Sequence, residues 1–310
     1  MAVTMLAPVR PSWYAVPDVL RDAITARAGV VEDAVSQAGG FTPGLASRLV
    51  LRGGGRIFVK GLPSDHALAA SYRYEAACAA LLPAAVPAPR LRWHEEVAGW
   101  IVLGFDDVEG HHPLLGPPGR DLARVLDAVT SLQVPVSGLP QRADRIGPWL
   151  HGWAELAAAP PGVLHPWAAA HLPALAAAER GWLPAAGGGT LVHGDLRADN
   201  MLAADSGVVL VDWAFASAGA TWLDLADLVP QMILAGHTPA SAEEHLGNLA
   251  AWRAAPDEAV TSYAAACAGY WTRSAMLPVP ADAPHLRRYQ ARAGRAAVEW
   301  VAWRWGRRPA

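Results

Sequence analysis

Lysine is almost missing from this chain of 310 residues. Of the 25 positions that carry Lys or Arg, 24 are Arg, and Lys60 is the single lysine. The composition is rich in Ala, Arg, Gly and Pro, as if Arg had replaced Lys wherever it could. A lone survivor points to a position where a compact ammonium works and a planar guanidinium fork does not. The alternative is coincidence, and the location of Lys60 must decide. Asparagine is just as scarce, at Asn200 and Asn248 only. The two cysteines, Cys78 and Cys267, both lie in Ala-rich stretches. That excludes a disulfide framework and a thiolate metal site, and suits small buried residues in a reducing cytoplasm. The chain is 53% hydrophobic, yet it has no apolar run long enough for a membrane span. Residues 1–10 lack a basic start followed by an apolar segment, so no signal peptide is expected. The net charge of −3 lacks the basic excess of a general nucleic-acid binder. A chain of this length buries a large core and is expected to divide into two lobes.

What is present is concentrated in one stretch. Leu191 to Asn200 reads as an apolar strand followed by a polar loop carrying His193-Gly194-Asp195 and Asn200. Met201-Leu202, a turn at 204–207, and the apolar run Val208 to Val211 then predict a hairpin that ends in Asp212-Trp213. Asp195, Asn200 and Asp212 therefore gather at the mouth of two paired strands. Phosphoryl transfer needs such a set: one Asp to reach the acceptor hydroxyl, and an Asn with a second Asp to hold Mg²⁺. Hard oxygen donors suit that ion. The alternative is a loop Asp and Asn that make only turn hydrogen bonds.

With these residues the sequence resembles the aminoglycoside phosphotransferase-like family of small-molecule kinases. The family pattern is close to HGDxxxxN followed by a strand ending in Asp-Trp or Asp-Phe, which His193-Gly194-Asp195 and Asp212-Trp213 match. The resemblance implies an α+β, protein-kinase-like bilobal fold, with lobes over 1–104 and 105–310. Its N-terminal lobe would be a small antiparallel sheet with one main helix that binds nucleotide. Its C-terminal lobe would be larger, mostly helical, and would bind the acceptor. ATP and Mg²⁺ are the implied cofactors. Asp195 would act as the catalytic residue, Asn200 and Asp212 as metal ligands, and His193 as a structural residue. Arg197 stands where the family often has His. It would either touch the transferring phosphoryl group or face an acid such as Asp199.

The surroundings of Lys60 fit the same scheme. Arg48 to Arg52 and Arg56 to Lys60 flank Gly53-Gly54-Gly55, which predicts a hairpin with Lys60 ending its second strand. A kinase places there the Lys that contacts the α- and β-phosphates. Glu75 is the only acid of the helix expected over 66–82, and it is assigned as the partner of Lys60. Gly40 and Gly44, in a glycine-rich loop before the hairpin, either cover phosphates with backbone N–H groups or form a plain turn. A second hairpin is expected over 91–105. By resemblance the segment after it, 104–107, is a hinge that binds the adenine ring, with Leu103 and Phe105 as flanking candidates.

The remainder predicts helices near 13–30, 120–132, 149–158, 167–183, 240–253, 257–276 and 284–305. Thr221 is expected to cap the helix after Asp212, and Asp224 either braces the catalytic loop or is an ordinary first-turn acid. The last helix carries Trp300, Trp303 and Trp305 among several Arg, and is expected to pack on the second lobe rather than on a membrane surface. Glu243, Glu244, Asp257 and Glu258 are the acids available to a cationic acceptor. The reading is a small-molecule kinase of the cytoplasm, monomer or homodimer. Its partner is a hydroxyl acceptor (an aminoglycoside, another antibiotic or a metabolic alcohol such as choline, homoserine or a sugar), and neither nucleic acid nor membrane. The alternative is a catalytically silent nucleotide-binding protein of the same fold.

Overall fold

The computed structural model describes residues 10–37 and 40–306. Contacts divide the chain into two compact units. One holds the described residues up to His112, with Asp199–Ala214 and Val279–His285; the other holds Pro113–Ala198, Phe215–Pro278 and the described residues from Leu286.

The first unit is built on five antiparallel strands: β1 (Val31–Ser36), β2 (Leu45–Leu51), β3 (Arg56–Pro63), β4 (Leu91–Val97) and β5 (Trp100–Asp106). Their order across the sheet is β1-β2-β3-β5-β4. Alternation along β3 sorts its side chains onto two faces. Ile57 and Val59 join Leu45, Leu49 and Val102 beneath Leu20 and Ile24 of the Asp18–Ala28 helix. Leu62 joins Ile101, Leu103 and Phe105 beneath Tyr72 and Ala76 of the Ala69–Leu81 helix. Lys60 is two residues from Leu62, so it belongs to the second face. Lys60 lies inside β3, which continues to Pro63, and not at its end as the sequence suggested. The strand β1 was not expected at all.

The chain then enters the second unit through the Leu122–Thr130, Gly152–Ala158, Pro166–Ala170 and Leu172–Ala178 helices. The long helix expected over 167–183 is therefore broken, with Pro173 in the first turn of its second piece. Strand β6 (Thr190–Val192) is followed by the loop of His193 to Asn200, then by β7 (Met201–Ala204) and β8 (Gly207–Leu210), which form the expected hairpin. A three-residue β9 (Ser217–Gly219) pairs with β6.

The helices Leu223–Leu234, Pro239–Gly247, Asp257–Ala275 and Leu286–Gly306 complete the second unit. Residues 259–269 of the third are buried on every side, which makes it the axis of this unit. Thr221 does not cap the first of these helices. Trp222 occupies the cap position, and no side chain there bonds the helix end. In the last helix Trp300 is buried and donates its Nε1–H to Glu243, and buried Arg304 pairs with Glu243 and Asp257. Packing thus claims this face, and it claims two of the four acids that were candidates for a cationic acceptor. Among the described residues no helix is long and apolar enough to cross a membrane.

Candidate functional site

In the first unit, Lys60 is the centre of a charged triad. Its Nζ lies 2.5 Å from Glu75 Oε2 and 3.2 Å from Asp212 Oδ1. Secondary structure explains both contacts. The stripe Ala69, Tyr72 and Ala76 seats the Ala69–Leu81 helix on the sheet face of Lys60, which carries buried Glu75 inward. Asp212 leaves β8 in the left-handed backbone region, with φ 66°. Such a conformation costs a non-glycine residue about 1–3 kcal/mol, and it tends to be kept where geometry matters. The Tyr72 ring completes the setting, with its centroid 4.9 Å from the ammonium.

Burial acts against the Lys60 charge, but Asp212 and then Glu75 outweigh it and hold the ammonium above the usual lysine range. Burial pushes the Glu75 carboxyl up to about 7, while Lys60 pulls it down. Burial likewise pushes the Tyr72 hydroxyl up to about 12.

One cavity of this unit is lined by Lys60, Glu75, Asn200, Asp212, Gly40 and Phe105. Ala46, Phe58, Pro89, Leu202 and Val211 give it an apolar wall, the usual make-up of a small-molecule site. Two other sequence candidates lie elsewhere. Leu103 is a core residue, paired across the sheet with Lys60. Gly44 is a packing glycine: its φ is +117°, and a Cβ there would stand 2.4 Å from the Gly61 carbonyl oxygen.

Asn200 is buried at the end of a short 3-10 turn, and its carbonyl accepts the Val211 N–H at 2.9 Å. That bond ties the Asn200 end of β7 to the Asp212 end of β8. The donors at this end of the cavity are an amide oxygen and carboxylates, all hard oxygens. Among the described residues no group of three His, Cys, Asp or Glu could hold a metal by itself. Hard oxygen donors are the kind that suit Mg²⁺, which binds through one or two carboxylates and fills its shell from phosphate and water.

The second unit holds the loop of Asp195. Asp224, buried in the first turn of its helix, accepts the His193 N–H on Oδ2 at 2.8 Å and the Gly194 N–H on Oδ1 at 2.9 Å. Of the two readings of Asp224, the loop brace is the one present. The His193 ring accepts the Asp195 N–H through Nδ1. Arg197 faces an acid, with Nη1 3.2 Å from Asp195 Oδ2. The guanidinium sits 5.8 Å from the Tyr289 ring centroid.

A second brace, not expected from the sequence, is also present. Buried Arg142 donates to the Gly194 carbonyl at 2.9 Å and to Asp227 Oδ2 at 3.1 Å, and Tyr263 donates its hydroxyl to Asp227 Oδ1 at 2.7 Å. Gly194, with φ +80°, is where the chain turns to meet it; a Cβ there would stand 2.2 Å from Arg142 Nη1. Burial pushes the Asp227 carboxyl up to about 7, opposed by Arg142. An acid three residues after Asp224 in an otherwise apolar helix was the one available hint.

The sequence matches the family model described as APH, the phosphotransferase enzyme family, over residues 40–263. No curated protein matches it. Among solved structures it is similar to a choline/ethanolamine kinase family protein from Mesorhizobium loti, with a TM-score of 0.58 at 20% identity, covering 92% of this chain and 97% of that one. It is also similar to wild-type aminoglycoside 2'-phosphotransferase-IIIa in its GDP complex, with a TM-score of 0.55 at 13% identity, covering 93% and 98%. At these identities the likeness carries the kinase-like α+β fold alone.

Proposed function

This chain belongs to the phosphotransferase enzyme family, and we propose that it moves the γ-phosphoryl group of ATP to a hydroxyl of a small molecule. One observation carries this reading. The chain's single lysine meets Glu75 and Asp212 in a cavity that Asn200 also lines. These are the groups that phosphoryl transfer uses to hold a triphosphate and its cation.

Lys60, oriented by Glu75, positions the phosphates. Asn200 and Asp212 would hold Mg²⁺, which when bound neutralises charge on the phosphate oxygens. The apolar wall suits a flat heterocyclic base. Asp195, fixed by the Asp224 and Arg142 braces and oriented by Arg197, accepts the proton of the acceptor hydroxyl. The hydroxyl oxygen then bonds the γ-phosphorus, the bond to the β–γ bridging oxygen breaks, and ADP leaves with that electron pair.

The acceptor is a hydroxyl-bearing small molecule. The relatives named above are an aminoglycoside phosphotransferase and a choline/ethanolamine kinase family protein, so aminoglycosides and amino alcohols head the list. An ATP-consumption screen across aminoglycosides, macrolides, nucleosides, sugars and amino alcohols tests the reading. Asp195→Ala should lower turnover on the responding acceptor by about two to four orders of magnitude and leave ATP affinity nearly unchanged. Full activity in Asp195→Ala would refute the role of that residue. Mg-ATP binding with no transfer to any acceptor would instead identify a catalytically silent nucleotide-binding protein.

A further inference from the structure

The cavity has a second cation that the transfer scheme above does not use. Arg10 precedes the first helix and reaches into the cavity that holds Lys60. Its Nε–H donates to the Thr42 carbonyl at 3.1 Å and its Nη1–H to the Gln37 carbonyl, also at 3.1 Å. These two residues stand on either side of Gly40. The guanidinium therefore ties Gln37, which follows β1, to Thr42, which precedes β2.

Gly40 is shaped to this arrangement. Its φ is +80°, and a Cβ there would stand 2.9 Å from Arg10 Nη2. Glycine thus leaves room for the third nitrogen of the fork, which neither carbonyl engages. Burial lowers Arg10 from its usual range, and the charges that pull the other way are Tyr72, Asp212 and Asp199. Two of these are the carboxylates at the Asn200 end of the cavity. A half-buried guanidinium tied by two main-chain oxygens, in one cavity with a carboxylate pair and the Lys60 ammonium, is a ready partner for a polyanion.

Resting on the nucleotide reading of this cavity, we propose that Arg10 is a phosphate-binding residue. Two of its nitrogens hold the Gln37 and Thr42 carbonyls, and Nη2 donates to a terminal phosphate oxygen of the nucleotide. Arg10 thereby does for this chain part of what a run of backbone N–H groups does in a regular glycine-rich motif, which this segment is not.

The test is equilibrium titration of the full chain with ATP, ADP and adenosine, in the presence of Mg²⁺, for wild type, Arg10→Gln and Arg10→Lys. A direct charged contact predicts that Arg10→Gln weakens ATP binding about 10- to 100-fold and leaves adenosine binding within about twofold. Arg10→Lys keeps the charge but loses the fork, so it should fall between wild type and Arg10→Gln. Equal losses for ATP and adenosine would reduce Arg10 to a packing residue and overturn the proposal, as would no loss for either. Wild type that binds none of the three would overturn the nucleotide reading itself, and this proposal with it.

Discussion

Replacing Asp224 by Asn keeps the shape of the side chain and should still damage the protein. Each carboxylate oxygen of Asp224 has its own donor, His193 N–H on one and Gly194 N–H on the other. An amide offers one oxygen and one NH₂, so one backbone N–H of the loop faces a donor. An orphaned buried N–H costs about 1–3 kcal/mol, and the surviving bond loses its charge assistance, roughly another 0.5–1.5 kcal/mol. An opposing term exists, because burial raises the Asp224 pKa and a neutral amide escapes that desolvation. The net expectation is a loss of about 1–3 kcal/mol, visible as a lower urea midpoint with an unchanged slope. Function should suffer more than stability. A displacement of about 1 Å in a catalytic group can cost about 100-fold in rate, and these two bonds anchor the start of the loop that carries Asp195. Turnover should therefore fall about 100-fold while ATP affinity stays near wild type. Wild-type stability and turnover in Asp224→Asn would show that the brace is dispensable and that Asp195 is positioned by something else.

Three further outcomes are expected. Lys60→Arg should lower kcat/KM by about 100-fold or more despite retaining the charge, because the planar fork cannot sit between Glu75 and Asp212 as the ammonium does; steady-state kinetics checks this. Gly44→Ala should destabilise the first unit by about 2 kcal/mol or more, since the added carbon meets the Gly61 carbonyl in a backbone region unfavourable to alanine; chemical denaturation followed by tryptophan fluorescence measures it. Asp227 has a folded pKa raised from 3.8 to about 7, so the folded state holds a proton that the unfolded state releases earlier. Stability from this group is present below the unfolded value and declines as pH rises from about 4 to 7. Asp227→Asn should flatten that part of a thermal-midpoint profile, and an unchanged profile would rule this group out as its source.

Scarcity made the first unit readable. One Lys and one acid in the following helix left a single pairing to consider, and Lys60 and Glu75 stand 2.5 Å apart. Glycine turns marked both central hairpins, and the spacing around Asn200 and Asp212 marked the third. Elements without local signals were missed. β1 is an edge strand whose acids point outward, so its alternation is weak. β9 consists of Ser-Ala-Gly, residues with little preference for strands. Thr221 offered suitable cap chemistry, but the helix starts one residue too late to use it. Arg10 and Arg142 are two among 24 arginines. Nothing within a few positions of either distinguishes it, because their partners lie far along the chain.

A solitary lysine also gives chemists a private address. Reagents that acylate side-chain amines have one lysine to find, and it sits at the heart of the cavity rather than on the outer face. In the resting protein that nitrogen keeps its proton between two carboxylates, so ordinary succinimidyl esters should modify it sluggishly. A nucleotide carrying an acyl phosphate would instead deliver its warhead to that nitrogen, and a single labelled peptide would then report occupancy of the site.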